Sequence, residues 1–302
     1  MPPIRELSPN ALPDPGATAI DAHLPGYAKI LLRVLAISGY GLWIWLGMGL
    51  ALGMEQIGRC DMRMPLILGT ALVGAGLLLV CLRRPAASDW YGRQPGRDRW
   101  PTRAALLALV TFLPVLLVII LGDGHGHALA MRVAGVALML CSLVSLVYTA
   151  YRYRSQLSPG LQRVSSSLPV SRLVTAWYGG GLWLWLCTMA QGGLEPPHRV
   201  YPWILLLLAL ALLLGLLEGM RWQSLGAPHG GGSDMDMRNV PPARFVAAVF
   251  VYVLPCAALL LTERFGGGLL AATVAVPSCL LGKMLEQHVY ETALAGELLA
   301  AG

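Results

Sequence analysis

Eight apolar runs dominate the pattern of polar and apolar positions along the chain. They cover Val34–Met54, Pro65–Leu82, Ala104–Leu121, Met131–Ala150, Leu173–Ala190, Trp203–Met220, Phe245–Leu261 and Leu269–Leu285. Each is close to the roughly 20 residues that a helix needs to cross a bilayer. None alternates apolar and polar positions as a membrane β-strand does. The pattern predicts an all-α, polytopic integral membrane protein with about eight transmembrane helices, although the shorter runs also fit helices buried within a bundle.

The runs form two related sets. The segment Gly41–Leu46 (GLWIWL) matches Gly181–Leu186 (GLWLWL), and the same spacing pairs the repeated acids Glu55 and Glu195. After one residue of slippage, Leu113–Pro114 pairs with Leu254–Pro255. Because the acidic match lies outside the apolar runs, we interpret the pattern as a true repeat of two four-helix halves. An even number of helices in each half makes the two repeats parallel.

The repeat and the connecting segments divide the chain into four parts. Residues 1–27 are predicted to be a disordered lead-in, since they are rich in proline and lack the apolar stretch of a signal peptide. Residues 28–150 form the first four-helix half, 151–172 a basic linker, and 173–302 the second half. The first helix is then expected to target the chain to the membrane.

Composition agrees with a membrane location. Of the 302 residues, 56% are apolar and 13% are charged, whereas soluble domains average about 25% charged residues. The net charge of +6 comes from Arg and Lys in the short segments between apolar runs, which set membrane orientation rather than bind nucleic acid. The six cysteines show no CxxC spacing, so neither a disulfide framework nor a cysteine-held metal cluster is expected.

Arginine is concentrated in alternate connections. The basic connections carry Arg83, Arg84, Arg93, Arg97, Arg99 and Arg103; Arg152, Arg154, Arg163 and Arg172; and Arg221, Arg238 and Arg244. In the connections on the other side of the membrane, acidic and basic residues are nearly equal in number. The positive-inside rule therefore places both termini in the cytoplasm of a cell with a bacterial-type inner membrane.

Charged residues at the ends of two apolar runs are candidates for function, since ionisable groups in lipid are costly. Glu218 ends the sixth run, and Lys283, Glu286 and Tyr290 fall near one face at the end of the eighth, beside His288. Two interpretations remain open. They form a polar site for a lipid headgroup, a quinone or a partner subunit, or they are a helix end whose charges reach the interface.

Other candidate residues give weaker indications of a functional site. Glu55 and Glu195 line a path between the halves or cap helices. His125 and His127, in a glycine-rich turn, form either a weak metal site or a polar loop. None of the six histidines lies in the middle of an apolar run, so no haem is expected. No catalytic constellation, resident metal or covalently bound cofactor is predicted.

Several segments resemble, in order, the membrane-anchor subunits of dimethyl sulfoxide reductase. They are Ser38–Leu42 (SGYGL), Ala71–Leu78 (ALVGAGLL), the loop with Trp90, Arg99, Trp100 and Arg103, and Gly282–Tyr290 (GKMLEQHVY). The resemblance implies eight helices in two halves that pass electrons from quinol to an iron–sulfur subunit and a molybdopterin subunit. It also implies that the Arg-rich loop lies on the outer side, the reverse of the charge-based orientation.

The resemblance departs at one motif. Where the family has a His-Leu-Gly motif tied to quinol oxidation, this chain has Cys81-Leu82-Arg83-Arg84. We therefore expect a membrane-anchor or electron-transfer subunit of a multi-subunit oxidoreductase, or a degenerate relative, with quinone as a candidate ligand. The candidate contact residues for a partner or quinone are Arg83, Arg84, Trp90, Arg99, Trp100, Arg103, Glu286, His288 and Tyr290. The alternatives are a small-solute or lipid transporter and a membrane scaffold.

Overall fold

The computed structural model describes residues 26–53, 62–82, 100–122, 128–155, 168–192, 201–225, 242–265 and 267–300. Within these ranges every regular element is helical, which confirms the predicted all-α class. The elements are α1 (Gly26–Leu52), α2 (Arg63–Leu82), α3 (Trp100–Gly122), α4 (Ala128–Ser155), α5 (Leu168–Ala190), α6 (Tyr201–Leu225), α7 (Pro242–Ala248), a π-helical segment (Val249–Val253), α8 (Leu254–Phe265) and α9 (Gly268–Ala300).

Helix covers nearly all of the described part of every predicted apolar run, but several boundaries differ. Helix α1 begins at Gly26, inside the predicted lead-in. Helix α4 continues to Ser155 and α5 begins at Leu168, so both ends of the predicted 151–172 linker are helical. Helix α9 continues to Ala300, well beyond the last apolar position. Hydrogen bonding carries these helices past the apolar stretch from which their ends were predicted.

Five helical stretches are long and apolar enough to cross a membrane: Gly26–Leu52, Ala128–Tyr151, Pro202–Gln223, Pro242–Thr262 and Gly268–Tyr290. Two shorter apolar helices are Arg63–Leu77 and Leu106–Gly122. Large apolar side chains also point outward, including Leu129 (78% exposed), Leu270 (75%) and Ile120 (71%). A soluble monomer rarely exposes so continuous an apolar surface. Length, composition and surface are therefore those of a helical membrane protein.

Helix α1 lies at the centre of the bundle, where it packs against α2, α4 and α5. Small residues make these contacts close. Gly41 lies against Ala176 of α5. A Cβ added at Gly47 would lie 2.6 Å from the carbonyl oxygen of Gly135 in α4. Membrane helices associate through such small-residue contacts because the hydrophobic effect does not drive helices together in lipid.

The core consists of two apolar clusters that meet at the α1–α5 contact. One contains Trp43 and Leu46 of α1 together with residues of α2, α3 and α4. The other contains Trp185 and Leu182 of α5 together with residues of α6, α8, α9 and the π-helical segment. Ala176 of α5 belongs to the first cluster, whereas Leu42 and Trp45 of α1 belong to the second. The two clusters are thus joined through these two central helices.

The π-helical segment lies immediately before Pro255. Proline has no N–H, so residue 255 cannot donate the α-helical hydrogen bond to the carbonyl of Val251. The hydroxyl of Tyr178 in α5 donates to that oxygen instead, at 3.2 Å. Two further prolines lie inside helices. Helices α3 and α9 run continuously through Pro114 and Pro277, while Pro255 is where the helical pattern changes.

Candidate functional site

A buried ion network joins α6 and α9 near one end of the bundle. The Nζ atom of Lys283 lies 2.7 Å from Glu286 Oε2 and 3.3 Å from Glu218 Oε1. These three side chains are 4%, 12% and 8% exposed, in that order. Arg221 Nη1 lies 3.3 Å from Glu218 Oε2, and the hydroxyl of Ser171 donates to Glu218 Oε1 at 2.8 Å. Glu218 is therefore held from three directions.

Local spacing and tertiary packing both contribute to the network. Lys283 and Glu286 are three residues apart on α9, as are Glu218 and Arg221 on α6, a spacing that places side chains on one face. Packing of α5 against α6 and α9 adds Ser171. Two cations face two carboxylates, so the network itself is neutral. That balance offsets much of the cost of taking charges out of water.

A small cavity borders the network where α1, α5, α6 and α9 meet. Its volume is about 30 Å³, enough for one or two water-sized groups and too small for a quinone ring. Its charged lining consists of Arg33, Arg172, Arg221, Lys283, Glu218 and Glu286. Cationic side chains thus outnumber carboxylates around the cavity by four to two. Such a surface favours an anionic or hydrogen-bond-accepting group over a cation.

Aromatic side chains surround the same end of the bundle. The guanidinium of Arg221 lies 3.4 Å from the ring centre of Tyr290, and Trp222 meets that ring edge-on at 5.9 Å. Arg244, at the start of α7, lies 4.7 Å from the ring centre of Trp222. Cation–π contacts of this kind are stronger where water is excluded. These contacts connect the ion network to α7.

The structure brings together part of the predicted site. Lys283, Glu286 and Tyr290 line the cavity with Glu218, as their common helical face predicts. His288 is not among the lining residues, and its ring instead packs 4.3 Å from Tyr27 of α1.

The remaining predicted residues cannot be placed in this site. Trp100 and Arg103 belong to α3, but their side chains lie outside the described part of the structure. The residues wholly outside the described ranges are Arg83, Arg84, Trp90, Arg99, Glu55, Glu195, His125 and His127.

Sequence reasoning missed four residues that shape this region. Arg221 had a usable signal, because it follows Glu218 by three residues. Ser171 and Arg33 come from other helices, and nothing in their local sequence points to Glu218. Tyr178 was also missed, because its importance depends on the carbonyl that Pro255 leaves without its helical donor.

Comparison with models of known protein families, with curated proteins and with solved structures finds no match for this chain. The fold and the site therefore define its class by themselves. The chain has the fold and surface of a helical membrane protein, with a neutral, buried ion network near one end of the bundle and a cation-rich cavity beside it.

Proposed function

We propose that the chain is a multi-pass protein of a bacterial-type inner membrane, with eight spans in two four-helix halves, that anchors the soluble subunits of a molybdopterin-type oxidoreductase. The observation that carries the proposal is the buried ion network of Glu218, Lys283 and Glu286. It fixes helix ends at the end of the bundle from which the Arg-rich connections emerge. The oxidoreductase assignment itself comes from the sequence resemblance.

The packing of the helices supports the repeat. If α1 corresponds to α5, then α1–α2 contacts correspond to α5–α6 contacts, and α1–α4 contacts to α5–α9 contacts. The pair α3–α4 likewise corresponds to α8–α9, and α1–α9 to α4–α5. All of these helix pairs are in contact. Two parallel halves related about the α1–α5 contact would produce this arrangement.

The position of the network supports a docking role. Arg33 lies near the start of α1 and Ser171 near the start of α5, whereas Glu218 lies toward the end of α6. Lys283 lies near the middle of α9 but toward the end of its apolar stretch Gly268–Tyr290. The helix ends that flank the connections 83–99, 156–167 and 226–241 lie at this same end. The Arg-rich connection 83–99 suits a soluble partner with an acidic surface, because complementary charge steers association and fixes orientation.

The cavity does not support quinone binding in the network, since its volume of about 30 Å³ is too small for the ring. An electron-transfer role would need a quinone site elsewhere. The anchoring role has no such requirement, and it is the part of the proposal that the geometry supports best.

Purification from the native membrane tests the anchor. We expect the tagged chain, extracted in mild detergent, to retain an iron–sulfur subunit and a molybdopterin subunit. Replacing Arg83, Arg84, Arg99 and Arg103 by Gln should reduce that recovery, because the variant removes four charges from the proposed docking face. Arg83→Gln with Arg84→Gln should already reduce it, and the matched control for that pair is Arg63→Gln with Arg132→Gln, which removes two charges at the opposite end. Recovery of the wild-type chain alone, without either subunit and without quinone, would refute the proposal.

Transport is the second candidate, favoured by the π-helical segment. An irregular helical turn beside a proline, within two related halves, is a feature of transporters that bind solute near the membrane midplane. Solute uptake into vesicles that contain only the purified chain would favour transport over anchoring.

A further inference from the structure

A second feature, an open apolar groove, lies between α6 and the π-helical segment. Its volume is about 330 Å³, within the roughly 300–1,000 Å³ of small-molecule pockets. Its lining consists of Leu208, Ala211, Leu212, Gly215, Leu216, Tyr252 and Cys256. Because the groove is open along a candidate membrane span, Pro202–Gln223, it faces the region where lipid chains lie.

The groove leads toward the ion network. Ala211, Gly215 and Glu218 follow one another at intervals of four and three residues, which places them on one stripe of α6. Glu218 therefore lies about 4.5 Å beyond Gly215 along the helix axis. The charged cavity thus begins within one turn of the groove along α6, on an adjoining part of the helix surface.

Tyr252 stands between the groove and the network. Its ring lies against Gly215, where an added Cβ would be 3.8 Å from the Cε1 atom. It is also close enough to Lys283, Glu286 and Glu218 to interact with them electrostatically. Its hydroxyl is buried and has no hydrogen-bond partner among the described residues. One side chain thus borders both the apolar and the charged environment.

The cavity at the far end of this path has the charge of a headgroup site. Four cationic side chains and two carboxylates line it. The sequence assigns this end of the bundle to the cytoplasmic leaflet, where anionic lipids attract basic pockets between helices. A cavity for one or two water-sized groups accommodates the free oxygens of a phosphate, while the rest of the head group stays outside it.

We infer that the chain binds one anionic phospholipid, with an acyl chain in the groove along α6 and the phosphate against Arg33 and Arg172. The inference rests on the bilayer location in the proposed function, but not on the anchoring of other subunits. Its occupant is a membrane lipid rather than free phosphate, because free phosphate would leave the apolar groove beside Tyr252 empty.

The test compares phosphatidylglycerol with phosphatidylcholine on the full-length chain, using native mass spectrometry in mild detergent. We expect phosphatidylglycerol to be retained at one molecule per chain in preference to phosphatidylcholine. Arg33→Gln with Arg172→Gln should weaken that binding by about thirtyfold, since each cation near the surface contributes roughly a fivefold factor. Arg63→Gln with Arg132→Gln is the matched charge control.

The groove has its own variant. Gly215→Leu places a side chain in the groove and should abolish retention of phosphatidylglycerol. Gly74→Leu on α2 is the control, because nothing lies within 4 Å of a Cβ added at Gly74 and no residue of α2 lines the groove.

Equal retention of the two lipids would overturn the headgroup assignment, and unchanged binding by Gly215→Leu would overturn the groove assignment. If Gly215→Leu fails to fold, wild-type competition between the two lipids decides the question. Loss of lipid selectivity with intact subunit recovery would refute this inference alone. Absence of the chain from the membrane fraction would refute the proposed function as well.

Discussion

Lys283 is the residue on which the ion network depends. Its ammonium bridges Glu286 and Glu218, and its side chain is 4% exposed. Removing one member of a buried charge network costs more than the net contribution of the network, because the remaining charges stay buried without compensation. Arg221 also contacts Glu218, whereas no other cationic partner of Glu286 is seen among the described ion pairs.

We expect Lys283→Met to lower the free energy of unfolding by about 3–5 kcal/mol, as truncating one partner of a buried ion pair does. Unfolding in detergent micelles, followed by circular dichroism, measures the loss. Adding Glu286→Gln should recover most of the stability, because the double variant keeps the Glu218–Arg221 pair and leaves equal numbers of buried cations and carboxylates in the network. Lys29→Met, near the start of α1, is the control. Equal stability of Lys283→Met and Lys29→Met would contradict the structural role.

At the scale of the element, the irregular turn before Pro255 is stabilised from outside its own helix. The Tyr178 hydroxyl donates to the Val251 carbonyl. Gly282 lets α9 approach the same turn, since a Cβ added there would lie 2.7 Å from the Val251 nitrogen. A helix distorted by proline persists in a membrane when neighbouring helices satisfy the freed backbone groups. Here α5 supplies the donor.

Tyr178→Phe should therefore cost about 1 kcal/mol of stability, the usual contribution of such a hydrogen bond. The cost should be smaller in a Pro255→Ala background, because the substituted residue supplies a backbone N–H that can reach the Val251 carbonyl. A double-mutant cycle in thermal unfolding measures this difference. Tyr27→Phe, at a half-exposed site, is the control. Additive effects of the two substitutions would show that the hydroxyl does not compensate for the proline.

For the whole molecule, orientation decides which compartment the ion network faces. The charge distribution places its end of the bundle in the cytoplasm, whereas the resemblance to anchor subunits implies the reverse for the Arg-rich loop. Both orientations are compatible with the same bundle, because helix packing is insensitive to which leaflet surrounds it.

Reporter fusions resolve the orientation. We expect a fluorescent protein that folds only in the cytoplasm to be active when inserted after residue 160. Alkaline phosphatase, which folds only on the outer side, should be active after Gly53 and after Gly192. This outcome follows from the excess of Arg in the connection after α4. The opposite pattern at these three sites would refute the charge-based orientation and support the one implied by the resemblance.

Whether the sequence predicted a feature depended on how far apart along the chain the residues that determine it lie. The helical runs were predictable because apolar composition over 20 residues is a local property. The shared face of Lys283 and Glu286 was predictable for the same reason, since helical spacing alone determines it. The contact of Lys283 with Glu218 was not, because it joins positions 65 residues apart.

The π-helical segment depends both on the local sequence and on packing against another helix. Pro255 is visible in the sequence, and a proline in an apolar run signals an irregularity. Its form depends on the position of Tyr178 in another helix, which no local pattern contains. The boundaries of α4, α5 and α9 were missed because charged and polar residues continue these helices past the lipid-compatible stretch.

The central position of α1 has a consequence for how the chain is made. A ribosome delivers α1 before all of its packing partners, and one of those partners, α9, is the final helix of the bundle. The contact of Tyr27 with His288 and that of Glu218 with Lys283 cannot form until α9 has been translated. A chain interrupted before α9 therefore leaves open the faces of α1 and α5 that contact α9 and deprives Glu218 of Lys283, the kind of incomplete packing that membrane quality control removes.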